Sequence, residues 1–145
     1  MQWLIDIVLE AVAALGYATE TWVEDKGYLT STYVHRGDPD DYDVVEGDMV
    51  DDNNWHELDL SAIVPEGAKA VHLVVMTMFG AVGRGLFLRN TSQIQPYNAA
   101  YCISTVGSVL QYFDITQSLD VNRKIDYKIE PTNIFILITV RGWWL

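Results

Sequence analysis

Residues 55–79, WHELDLSAIVPEGAKAVHLVVMTMF, decide the fold class. Leu58 and Leu60 alternate with Glu57 and Asp59, the period-2 pattern of a strand buried on one face and wetted on the other. Pro65-Glu66-Gly67 then turns the chain, because proline has no N–H to donate and glycine tolerates a positive φ. Ala70 to Phe79 is apolar on both faces apart from His72 and Thr77. Such a run belongs at the centre of a sheet, covered above and below.

Downstream, the same punctuation recurs. Gly80 to Gly85 is a glycine-rich turn, Leu86 to Arg89 a short strand, and Asn90 to Asn98 a polar loop containing Pro96. Ala99 to Val106 and Ser108 to Thr116 read as strands separated at Gly107. Arg123 to Glu130 has the cleanest alternation, with Ile125, Tyr127 and Ile129 inward and Lys124, Asp126, Lys128 and Glu130 outward. Pro131-Thr132-Asn133 turns the chain into Ile134 to Val140, a second strand apolar on both faces. Upstream, Tyr28 to Val34 is rich in β-branched and aromatic residues and predicts one more strand. About eight short strands with turn signals between them, and no alternating helices, describe an antiparallel β-sandwich or jelly roll.

Residues 2–15 predict a helix. Ile5, Val8, Val12 and Leu15 recur at spacings of three and four, the seam of a short coiled coil, and Gly16 ends it. Gln2, Asp6 and Glu10 leave only a narrow polar stripe, so the helix must be buried. It either docks on its own β-domain or bundles with copies from other subunits, and the seam favours the bundle. The run is too short to span a bilayer, and no basic residue precedes Lys26 as a signal peptide requires. The chain therefore divides into an assembly or docking helix (1–16), a connector with an acidic loop (17–54) and a sandwich core (55–145), with residues 28–34 adding a strand.

The chain has 145 residues, enough for one core. Its net charge of −11 disfavours nucleic acid and anionic membrane surfaces as partners. Five Trp and eight Tyr mark a packed β core or an interface. The single cysteine, Cys102, excludes an intrachain disulfide and reads as a small buried hydrophobe.

No motif specifies a reaction. Residues 35–54 carry eight acidic side chains against Arg36, a density typical of a solvated loop. Within it, Val44-Val45 and Met49-Val50 around Glu46-Gly47-Asp48 predict a small hairpin. The calcium-loop template fails at Tyr42 and Val45, and His35, His56 and His72 have no zinc spacing. Neither a metal nor a cofactor is expected. Carboxylates are too common here for any pair to point to glycoside hydrolysis, and no nucleophile or phosphate-loop signature is present. His72 reads as a hydrogen-bonded core residue, Arg36-Gly37-Asp38 as a turn. Asn90-Thr91-Ser92 is a sequon that matters only in a secretory pathway. At the C-terminal end, Trp143 and Trp144 are expected to be buried, under the acidic loop or in a subunit interface.

Residues 55–61 (WHELDLS), Ile63-Val64-Pro65, Gly67-Ala68-Lys69-Ala70-Val71, Asp120-Val121-Asn122-Arg123-Lys124-Ile125 and Val140-Arg141-Gly142-Trp143-Trp144 together resemble a group of small phage and viral-metagenome proteins. These are tail-fibre or capsid-surface β-domains, often preceded by a short helix. The resemblance covers roughly residues 33–144, including Arg36-Gly37-Asp38-Pro39, and the helix before them. It implies a virion surface protein and carries over no catalytic residues. The expectation is a non-enzymatic appendage, a homotrimer that contacts other virion proteins and a host glycan or receptor. Its interface is expected at Ile5, Val8, Val12, Leu15, Trp143 and Trp144. The alternative is a carbohydrate-binding sandwich on a cell surface; a small hydrolase is a distant third.

Overall fold

The chain divides into two units, Met1–Thr32 and Tyr33–Leu145. A computed structural model describes residues 31–131 and 134–145. The expected helix over residues 2–15, with Ile5, Val8, Val12 and Leu15, lies outside the described residues, as does the first part of the strand expected over 28–34.

Nine strands are formed by the described residues: β1 (Tyr33–His35), β2 (Val44–Val45), β3 (His56–Asp59), β4 (Ala70–Phe79), β5 (Gly85–Asn90), β6 (Ala100–Ile103), β7 (Gln111–Ser118), β8 (Lys124–Ile129) and β9 (Ile134–Trp144). They build two sheets in which every pairing is antiparallel. The larger has the order β1-β9-β4-β7, with β2 also on β9; the smaller is β3-β8-β5-β6. The chain changes sheet between consecutive strands from β2 onward, except at the β5–β6 hairpin. The orders β2-β9-β4-β7 and β3-β8-β5-β6 are those of a jelly roll.

The expected alternation explains the core. Odd-numbered residues of β4 face the smaller sheet, and Val71, Leu73, Val75 and Phe79 are fully buried there. Ile136, Ile138 and Val140 join them from β9, and Leu86, Leu88, Ile125, Tyr127 and Ile129 from the smaller sheet. Leu60 and Val64 close one end, where Gly67 takes the positive φ (89°) expected of the Pro65–Gly67 corner. His72 and Thr77, the two exceptions in β4, point to opposite faces. Thr77 lies in the core, and its hydroxyl has no hydrogen-bond partner among the described residues. His72 is on the outer face of the larger sheet, so it is not a core residue.

The β6–β7 junction and the acidic loop differ from expectation for local reasons. β6 ends at Ile103, and β7 begins only at Gln111, because Ser108 adopts a left-handed conformation (φ 56°). Val109 and Leu110 are thereby left in an exposed loop. Met49-Val50 forms no hairpin with Val44-Val45: Glu46–Asp48 is a 3-10 turn, and β2 pairs instead with Ile138 and Leu137 of β9.

The acidic loop contains one carboxylate that is not solvated. β1 and β2 cover the free edge of β9 on either side of Val140. Between them, Val140 donates its N–H to Asp43 Oδ2 at 2.7 Å, and Arg36 donates to both the Asp43 carboxylate and the Val140 carbonyl (3.3 Å). The Asp43 side chain is only 6% exposed. Two side chains thus replace a missing rung of the ladder, satisfying main-chain groups that would otherwise be costly to leave unpaired.

Candidate functional site

The outer face of the larger sheet carries a cluster assembled from β1, β4, β7 and β9. Its placement depends on a β-bulge. The β4–β9 register runs from Phe79↔Ile134 to Leu73↔Val140, then resumes at His72↔Gly142. Arg141 is the extra residue, and it projects outward, 48% exposed at the side chain. A bulge of one residue reverses the inward–outward phase beyond it. Trp143 therefore points inward and packs on the core, opposite Val71 and Val34. Trp144 points outward, opposite Tyr33 and Ala70.

The cluster is tightly cross-connected. The Trp144 and Tyr33 ring centroids lie 4.8 Å apart in a tilted arrangement. The Tyr33 hydroxyl and His72 Nδ1 share a hydrogen bond (3.2 Å), and His72 Nε2 meets Asp114 Oδ1 at 3.0 Å. Arg141 Nη1 donates to the same carboxylate oxygen at 3.2 Å. Gly142 makes room for this, because a Cβ there would lie 2.5 Å from the Tyr33 hydroxyl and collide with the Val34 carbonyl.

Three adjoining depressions make a shallow groove from this cluster toward the acidic loop. The first is floored by Tyr33, His72, Thr116 and Trp144. It shares His35 and Arg141 with the second, which passes over Val74 and beside Gly37–Pro39. Pro39 and Thr139 are common to the second and third, and the third ends at Tyr42. One wall is the β1–β2 loop, held down by the Arg36–Asp43 pair.

Chemically, the groove offers aromatic rings at both ends, with donors and acceptors between them. The His72–Asp114 pair has the form of a base and its orienting acid, but the hydroxyl that His72 reaches is the phenol of Tyr33. Among the described residues, no group of three or more His, Cys, Asp or Glu side chains is placed to hold a metal ion. Cys102 is buried on the inner face, and burial pushes its thiol up to about 12.

The outer face of the smaller sheet is satisfied internally. The Arg89 guanidinium sits 3.9 Å from the centre of the Trp55 ring and pairs with Asp126, while Lys128 lies over Phe87. Phe87 in turn meets Tyr101 edge-on.

Of the residues expected at an interface, Trp143 and Trp144 are found on opposite faces of one strand, and the four seam residues lie outside the described residues. No local pattern announces the groove. Tyr33, His72 and Asp114 come from three strands, and His72 is 39 residues from Tyr33 and 42 from Asp114. The chain matches no family model and no curated protein.

Proposed function

We propose that the chain is a non-enzymatic recognition domain displayed on a virion surface, as part of a tail fibre or capsid decoration. The recognition role is carried by one observation, the aromatic-ended groove across the outer face of the larger sheet. Shallow, side-chain-lined and without an enclosed reaction chamber, it suits binding better than turnover. The virion setting rests on the resemblance, and the jelly roll is compatible with it, being an architecture of capsid and lectin domains alike. Fold alone does not assign a role.

In this reading the protein is a homotrimer held through Ile5, Val8, Val12 and Leu15, in contact with other virion proteins and a host receptor. Trp143 and Trp144 already have partners in their own domain, so the seam is the better place for the subunit contact. Sedimentation of the full chain tests this: the parent should have the mass of a trimer, and Val8→Asp with Val12→Asp should have that of a monomer. The melting temperature of the sandwich should be preserved in the variant. A parent that sediments as a monomer refutes the appendage and leaves the second reading, a carbohydrate-binding module on a cell surface. The same groove favours that alternative.

A further inference from the structure

We infer that the groove on the larger sheet binds a neutral, linear oligosaccharide; the inference rests on the recognition reading above and adds the class of ligand. The middle of the groove's floor, on β4 and β9, is sheet whose main-chain groups are already engaged. β4 is paired on both edges, and β9 is paired by β4 on one side and by β1, β2 and the Arg36–Asp43 pair on the other. A peptide cannot add here as an extra strand. Whatever binds must be read by side chains.

Those side chains have the chemistry of sugar recognition. Trp144 and Tyr33, packed against each other at one end, and Tyr42 at the other place aromatic rings along the groove, the groups that stack on the C–H faces of pyranose rings. Thr116 and Arg141 at the near end and Thr139 in the middle offer hydroxyl and guanidinium groups to sugar hydroxyls. The charge balance selects a neutral ligand. Arg141 is neutralised by Asp114 at 3.2 Å, aspartates 38, 40 and 41 line the far half of the groove, and the chain as a whole carries −11. An acidic glycan would meet like charge along that half. The length selects a chain over a single terminal sugar. From Trp144 to Thr139 the groove follows β9 for roughly 15 Å, at a strand's rise of about 3.3 Å per residue, and continues past it to Tyr42. The aromatic groups of the smaller sheet make a poorer site, because Trp55 and Phe87 are already covered by Arg89 and Lys128.

The test is an array of neutral linear oligosaccharides (gluco-, manno-, xylo-, galacto- and N-acetylglucosamine series) with sialylated and sulfated glycans beside them, probed with the full chain. The best ligand is then titrated by calorimetry. Binding is expected to a neutral linear series and to tighten with chain length. Trp144→Ala should weaken it about tenfold, the upper end for one lost aromatic contact. Tyr42→Ala should weaken only the longer oligomers, and Trp55→Ala should change nothing. Thr116→Trp, a change at an exposed position of the floor, should block binding even if Trp144→Ala proves unstable. Binding confined to acidic glycans, binding unaffected by Thr116→Trp, or no binding across the array overturns the inference. A trimer that binds no neutral glycan keeps the appendage and loses this ligand; a monomer that binds one through Trp144 does the reverse.

Discussion

Replacing Asp43 with alanine should do far more damage than its position in an acid-rich loop suggests. The change deletes the acceptor of the Val140 N–H (2.7 Å) and the partner of Arg36. A hydrogen bond to a charged group contributes about 1.5–3 kcal/mol, and a stranded buried donor costs a comparable amount. The Arg36 side chain is 25% exposed, so its share of the pair is partly screened and adds little. The expected loss is therefore about 2–3 kcal/mol. For a domain of this size each kcal/mol moves the melting temperature by about 4 °C, which gives a fall of roughly 8–12 °C. Asp51→Ala, at an exposed position of the same loop, should stay within about 0.5 kcal/mol of the parent. Asp43→Asn retains an oxygen that can accept from Val140 and should recover part of the loss. A double-mutant cycle with Arg36→Ala should return a coupling above about 0.5 kcal/mol. Thermal and urea denaturation of the full chain read all five variants, the double included. If Asp43→Ala melts within about 2 °C of Asp51→Ala, the pair is not a rung of the sheet and the reasoning fails.

Gly142→Ala should cost at least about 1–3 kcal/mol, because its methyl group collides with the Val34 carbonyl and the Tyr33 hydroxyl; an unchanged melting temperature would contradict the close approach of β1 to β9. Thr77→Val is expected to be neutral or to stabilise by about 1 kcal/mol, since it removes a buried hydroxyl without a partner, and a lower urea midpoint would show that the hydroxyl is bonded after all. The hydrogen bonds that the His56 side chain and Asn54 give Asp52 lower its carboxyl to about 2. A depressed carboxyl stabilises the fold above its unfolded pKa, about 3.9, and loses that contribution as pH falls through the folded value. The stability gap between the parent and Asp52→Asn in urea titrations should accordingly be constant from about pH 5 up to neutrality and shrink toward pH 2; a gap that persists undiminished at pH 2 refutes the assignment.

Much of the sandwich was written in the sequence because its determinants are local. Alternation along 56–60 and 124–130, the two-sided apolar runs 70–79 and 134–140, and the Pro65–Gly67 corner follow from side-chain period and backbone sterics. Each gave its strand to within a few residues, and the inward set Ile125, Tyr127 and Ile129 was right as it stood. Local pattern could not supply the partner of each strand. Local pattern makes Val44-Val45 half of a hairpin, but its hydrogen bonds go to β9, almost a hundred residues away. Nor could it supply the phase beyond a bulge: continuing the alternation of Ile134 to Val140 would send Trp144 inward, and one extra residue at Arg141 sends it outward. The groove was invisible for the same reason. By local pattern His72 is a core residue, because its strand is apolar on both sides, and only the register across β1, β9, β4 and β7 places it between Tyr33 and Asp114. Sequence determined which residues face a core, because period is a property of neighbours along the chain. Tertiary structure decided which outward residues meet, because that depends on register between strands far apart in sequence.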